Sequence, residues 1–394
     1  MRRLAPVFVL LLLSPLVAEV LIGSTPLLEF INPFSFLLEV GLYGAGAILI
    51  RELAQRRGLG WSRILLLGAA YGIVEEGLQI QSFFNVHHPG LGNLAVYGRA
   101  LSVNWVWAAE ITGYHAVWSI VIPILLTELL FPARRGLPWL RRRGLWVLAI
   151  IFGLDVALGG ALFTLGFHSQ YGYVPPLVPN LGAVALVCLL AWVALRRPPQ
   201  PAAPDSAAFA APLCKRAPRP WLLRLFSFGA AIAWFIIFLA LTGKDSTIPV
   251  PVTMALGALL ALGVWLLVRR WSGPRRIWND RHRLALATGP LLLSALVALL
   301  LSLGGQYSGY DNIGQALVGL VTITLLIVFG WRVNRRVRRA AAAATQPAPE
   351  AVPAWHPGAA PLREFYDRPQ QSEIIAWDAA PPAPEPPVPL TNGQ

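Results

Sequence analysis

The chain has 394 residues, of which 56% are hydrophobic and 13% charged, and it carries a formal net charge of +13. A soluble domain of this length has too little interior to hide so much apolar surface, so lipid must solvate part of it. The basic residues form no groove motif interleaved with aromatics, which argues against a nucleic-acid partner despite the charge.

Apolar stretches long enough to cross a bilayer at 1.5 Å per residue recur near 4–22, 33–50, 62–84, 104–131, 145–167, 179–195, 221–242, 251–268, 284–304 and 312–331. The expected fold is therefore all-α, a polytopic transmembrane helix bundle of about ten spans with both termini cytoplasmic. The start, MRRLAPVFVLLLLSPLVAEVLIGS, also has the shape of a cleaved signal peptide. Its apolar run continues past Glu19 to Ile22, however, and cleavage would strand the new terminus outside.

Charge placement supports the even count. With Arg2 and Arg3 inside, only Arg99 and Lys244 of the 32 basic residues fall outside. That asymmetry points to a plasma membrane of prokaryotic type, with the basic loops touching anionic lipid as a secondary effect. Cys188 lies in the sixth stretch and Cys214 in an inner loop, a placement that supports no disulfide framework.

Three regions follow from the pattern. Residues 1–135 form a four-helix unit holding Glu19, Glu39, Glu75, Glu76, Glu110 and His115. Residues 136–339 supply six further helices, interrupted by the Pro/Ala-rich loop 196–220, a flexible joint. Residues 340–394 are too rich in alanine and proline to bury a core and are expected to be disordered and cytoplasmic. Within them LREFYDRPQQSEIIAW reads either as a docking element for a protein partner or as part of an inert tail.

The chemistry lies in the first unit. A carboxylate at membrane depth costs roughly 2.5–3.5 kcal/mol on insertion scales, so five such acids and a histidine in four adjacent spans point to a shared polar layer. Counting from the helix ends places all six between the midplane and the outer third. Tyr71, Glu75, Gln79 and Ser82 share one stripe, whereas Glu76, about 100° away, shares its face with Gly72 and Ile80 and points to a different neighbour. Thr112, His115 and Ser119 line one face of the fourth span, and Glu110 and Tyr114 another. A helix polar on two faces is expected to be enclosed by protein. In the second span Glu39, Tyr43 and Gly46 lie together, and Gly41, Gly44 and Gly46 permit close helix approach. The expected site thus has Glu75, Glu76 and His115 as reactive groups, with Glu39, Tyr71, Gln79, Glu110 and Tyr114 lining a polar cavity.

VEEGLQIQ resembles the first motif of the CAAX-processing and bacteriocin-processing (CPBP) intramembrane proteases, Glu-Glu-x-x-x-Arg, which those enzymes follow with Phe-x-x-x-His and His-x-x-x-Asn on later helices. Here Ile80 takes the arginine position, Ile111 and His115 match the second motif in its histidine alone, and Ser119 stands four residues after His115. The resemblance implies Glu75 as general base and His115 as the partner steadying a water or oxyanion.

No His-Glu-x-x-His occurs, and His87–His88 sit in an outer loop, so no metal site is expected. No phosphate loop or cofactor motif is present either, and Asp155 reads as a helix-packing group. A buried Glu/His pair can activate water for hydrolysis or relay a proton in a transporter. A membrane scaffold without chemistry is the third class left open.

Overall fold

The computed structural model describes residues 4–196, 215–273, 276–307 and 309–344. Most of the expected flexible joint, Cys214 and nearly all of the expected tail with its docking element lie outside the described residues.

Among the described residues ten main helices follow one another where apolar runs were expected. They are α1 (Ala5–Val20), α2 (Pro33–Arg57) and α3 (Trp61–Ile73, prolonged by Val74–Gln79). Then come α4 (Trp105–Leu130), α5 (Arg142–Tyr171), α6 (Leu177–Leu195), α7 (Pro220–Ala240), α8 (Val250–Trp271), α9 (Asp280–Leu303) and α10 (Tyr310–Ala344). Eight of these are long and apolar enough to cross a membrane. The other two are α1, which is short, and α3, in which Arg63, Glu75 and Glu76 dilute the apolar run.

Local chemistry sets several ends. Asn32 accepts a hydrogen bond from the Phe34 amide at 3.0 Å and Pro33 occupies the first turn, where its missing N–H costs nothing. Gly58, at φ +62°, ends α2 in the left-handed conformation that glycine adopts without strain. Asn104 caps α4 by accepting from Trp107 N at 3.1 Å.

Packing ranks the helices. The apolar window of α4 is 72% buried, against 11% for α5, α6, α8 and α10, so the helix with two polar faces is indeed the enclosed one. One apolar cluster joins α1, α2, α3 and α4 through Leu10, Ile48, Leu67 and Ile120. A second ties α1 and α4 to α7, α9 and α10 through Val17, Trp118, Ala231, Leu291 and Val333. The connection 80–104 folds over one end of α3 and α4, where Phe83, Phe84 and Val103 meet Ile73.

Candidate functional site: a buried Glu–His–Glu centre

Four helices contribute to the centre, and each has a π-helical segment that carries at least one of its residues. Among the described residues π-helical segments occur at Leu16–Val20, Val40–Gly44, Val74–Gln79, His115–Val121 and Ile236–Ala240. The first four hold Glu19, Tyr43, the Glu75–Glu76 pair and His115. In such a segment an amide reaches back five residues, as Ile80 N does to Glu75 O at 2.8 Å, so the turn widens and the faces downstream shift. Short π segments inside α-helices recur at functional sites.

His115 is the hub. Its Nε2 lies 3.1 Å from Glu76 Oε1, and its Nδ1 lies 3.1 Å from Glu75 Oε2 and 2.8 Å from Ser119 Oγ. The imidazole is 1% exposed and Glu75 fully buried. Both acids of the adjacent pair therefore reach one imidazole, and the expectation that Glu76 serves a different neighbour gives way. The ring sits between the two residues' faces, and each glutamate has enough length to reach it from its own side.

From this hub hydrogen bonds run outward. The Tyr43 hydroxyl bonds Glu75 Oε1 and also Glu19 Oε1, the latter at 2.5 Å. Thr25 Oγ1, in the turn after α1, donates to Glu39 Oε1 at 2.8 Å and reaches Glu19 Oε2 at 3.4 Å. Glu19, Thr25 and Glu39 are half-buried, so the chain leads from less buried groups to a fully buried imidazole. On the other side Glu76 accepts from Ser82 Oγ, which in turn accepts from Trp107 Nε1 at 2.9 Å. Gln81, at φ +64°, holds the left-handed turn just before Ser82. Its amide bonds Leu78 O and Asn180 Oδ1 at 3.0 and 3.1 Å. Such strain in a buried non-glycine residue persists only where its surroundings enforce it.

The remaining expected lining residues divide. Tyr71 joins the wall, its ring 6.0 Å from Tyr43 and 6.2 Å from His115. Gln79 turns away and donates to Asp155 Oδ1 at 3.0 Å, giving Asp155 the expected helix-packing partner on α3. Glu110 is buried beside the Trp234 indole of α7. Tyr114 donates to Ala18 O, which ties α4 to α1. Thr25, Ser82 and Trp107 are additions. Ser82 shared the Tyr71 stripe, but Thr25 sits in a turn where no periodicity marks it. In the covering loop, burial holds the His88 imidazole below the ordinary histidine range, opposed by the nearby Glu76 carboxylate.

Four carboxyls, of Glu19, Glu39, Glu75 and Glu76, are thus linked in one network in which only Glu75 and Glu76 touch the imidazole. No Lys or Arg among the described residues pairs with any of them. Fully ionised, such a set would carry several kcal/mol of uncompensated desolvation per charge. Protons or a bound cation must therefore offset the charge. The helical bundle and its lipid-length apolar faces define a multi-pass integral membrane protein. The chain belongs to an uncharacterized membrane protein family, whose model matches residues 8–215, a segment that contains every residue of the centre. No curated protein and no solved structure matches the chain.

Proposed function

We propose that this membrane protein handles protons, with the Glu39–Thr25–Glu19–Tyr43–Glu75–His115–Glu76 series as a relay coupled to movement of a small solute or ion. The observation that carries the reading is the unbroken run of side-chain contacts from the half-buried Glu39 to the buried imidazole and Glu76. Buried acid–imidazole chains of this kind are how pumps and transporters move protons. The first four helices carry the relay in this reading, and the other six act as scaffold or partner surface. The protein sits in a plasma membrane of prokaryotic type with both termini cytoplasmic.

The test is proton flux in proteoliposomes carrying a pH-sensitive dye. Glu75→Gln and Glu39→Gln are each expected to reduce flux about 10- to 100-fold, the worth of one charge-assisted hydrogen bond. Flux unchanged in both variants would sink the relay.

A second reading is favoured by the way Glu75 and Glu76 bracket one imidazole, an arrangement suited to activating a water. It corresponds to a glutamic intramembrane hydrolase of the kind the Glu-Glu motif resembles. In that case Glu75→Gln abolishes turnover with substrate still bound, whereas Glu39→Gln, at the far end of the chain, leaves turnover intact. A scaffold expects neither variant to change anything but stability.

A further inference from the structure

The charge imbalance has an answer besides protons. Glu75, Glu76 and His115 each offer one ligand atom, and these atoms lie within 4.8 Å of one another on buried side chains. Donors 2.0–2.2 Å from a zinc-sized ion stand roughly 3.3–4.4 Å apart, so the set closes on one ion with shifts under about 1 Å. A second observation is independent of that spacing. Glu75 Oε2 is buried with no hydrogen-bond partner, although it lies 3.1 Å from an imidazole nitrogen that Ser119 occupies. A buried carboxylate oxygen left without a donor is costly, and a cation brought within its reach would satisfy it.

We infer that Glu75, Glu76 and His115 bind a single divalent metal cation of the borderline class that takes carboxylate oxygen and imidazole nitrogen together. Two carboxylates match the ion's charge, which removes the cost of burying them unpaired. Each ligand already has the outer support that metal sites use to fix orientation. Ser119 holds His115, Ser82 backed by Trp107 holds Glu76, and Tyr43 holds Glu75. Zinc or manganese suits this nitrogen-containing set better than calcium, which takes six to eight oxygens. Three protein ligands leave coordination positions for water or an incoming group. The inference uses the same centre as the relay but does not need flux.

The experiment is Zn²⁺ binding to the full chain in detergent or nanodiscs, by calorimetry and by metal analysis after desalting, with Co²⁺ absorption as a second probe. One equivalent is expected. Glu75→Gln, Glu76→Gln and His115→Ala should abolish it, and Ser82→Ala should weaken it roughly 10- to 100-fold. Glu39→Gln should lose flux but keep the equivalent, which separates failure of the relay from failure of the metal site. The exposed His87 and His168 provide the control. An equivalent that disappears with His87→Ala/His168→Ala and survives in the centre variants overturns the inference. So does folded wild-type protein that takes up no Zn²⁺ and gives no Co²⁺ band, whatever the variants do.

Discussion

Arg51 shows how much one side chain organises away from the centre. It is fully buried near the end of α2, where its Nη1 lies 3.0 Å from Glu52 Oε1 and 2.7 Å from Leu137 O. Its Nε reaches Glu128 Oε1 at 3.4 Å, and the guanidinium lies 3.6 Å from the Trp139 ring centroid. Glu52 in turn accepts from Trp139 N at 2.6 Å. The flat fork of an arginine satisfies carboxylates, carbonyls and a ring at once, which a lysine cannot do. Arg51→Met leaves Glu128 buried without its ion-pair partner and Glu52 with only the part-exposed Arg56, and should destabilise the fold by about 3–5 kcal/mol. Arg51→Lys should recover only part of that loss. Thermal unfolding of the purified variants in one detergent measures both, and equal midpoints for wild type and Arg51→Met would refute the account.

At the scale of elements, glycine lets α3 and α4 approach closely enough for Glu75 and Glu76 to grip His115. A Cβ on Gly68 would lie 3.0 Å from Ala116 Cα, and one on Gly72 would lie 3.0 Å from His115 Cβ and 3.3 Å from Thr112 Cα. Neither neighbour is the movable tip of a side chain, so the helices themselves must give by a few tenths of an ångström. Gly46 of α2 does the same for Tyr71, since an added Cβ would come within 2.6 Å of that ring. Gly72→Ala should cost about 1–3 kcal/mol by overpacking and push His115 away from the acid pair. Its effect on flux or on Zn²⁺ binding should therefore exceed that of Gly58→Ala, a change at a helix end remote from the centre. The paired measurements are melting temperature and flux, and wild-type flux in Gly72→Ala would show that the close approach is dispensable.

Across the whole molecule, charge holds the first four helices to the last ones. Asp280 at the start of α9 receives a two-pronged contact from Arg135 at 2.9 and 3.1 Å and a third bond from Arg336 of α10 at 2.6 Å. Arg336 also donates to Leu129 O at 3.0 Å. The contacts gather basic residues at one end of the bundle. At the opposite end Tyr307 donates to Gly23 O, and Tyr97 donates to Ile248 O at 2.9 Å. That segregation matches a chain oriented by its arginines. A reporter fused after Val178 or after Gly304 should lie outside the cytoplasm, and one fused after Arg57 inside. A cytoplasmic signal from Val178 or Gly304 would reverse the assigned sidedness.

Composition and apolar spacing alone determined that this is an all-α polytopic membrane bundle, because the cost of backbone and charge in lipid leaves so few alternatives. The same cost marked Glu19, Glu39, Glu75, Glu76, Glu110 and His115 as candidates for a polar site. Helical period identifies the face a residue occupies but not the helix it meets, so the sequence could not separate Glu110, beside Trp234, from the acids that meet His115. Nor could it reveal that Glu75 and Glu76 share one partner, since that depends on a π-helical turn and on a close approach set by Gly72. No local pattern marks Arg51, Glu52 and Glu128 as a cluster, which forms where the 132–140 connection folds back over them. Tertiary structure decided these points because contact between distant helices is a property of packing, and no local pattern encodes it.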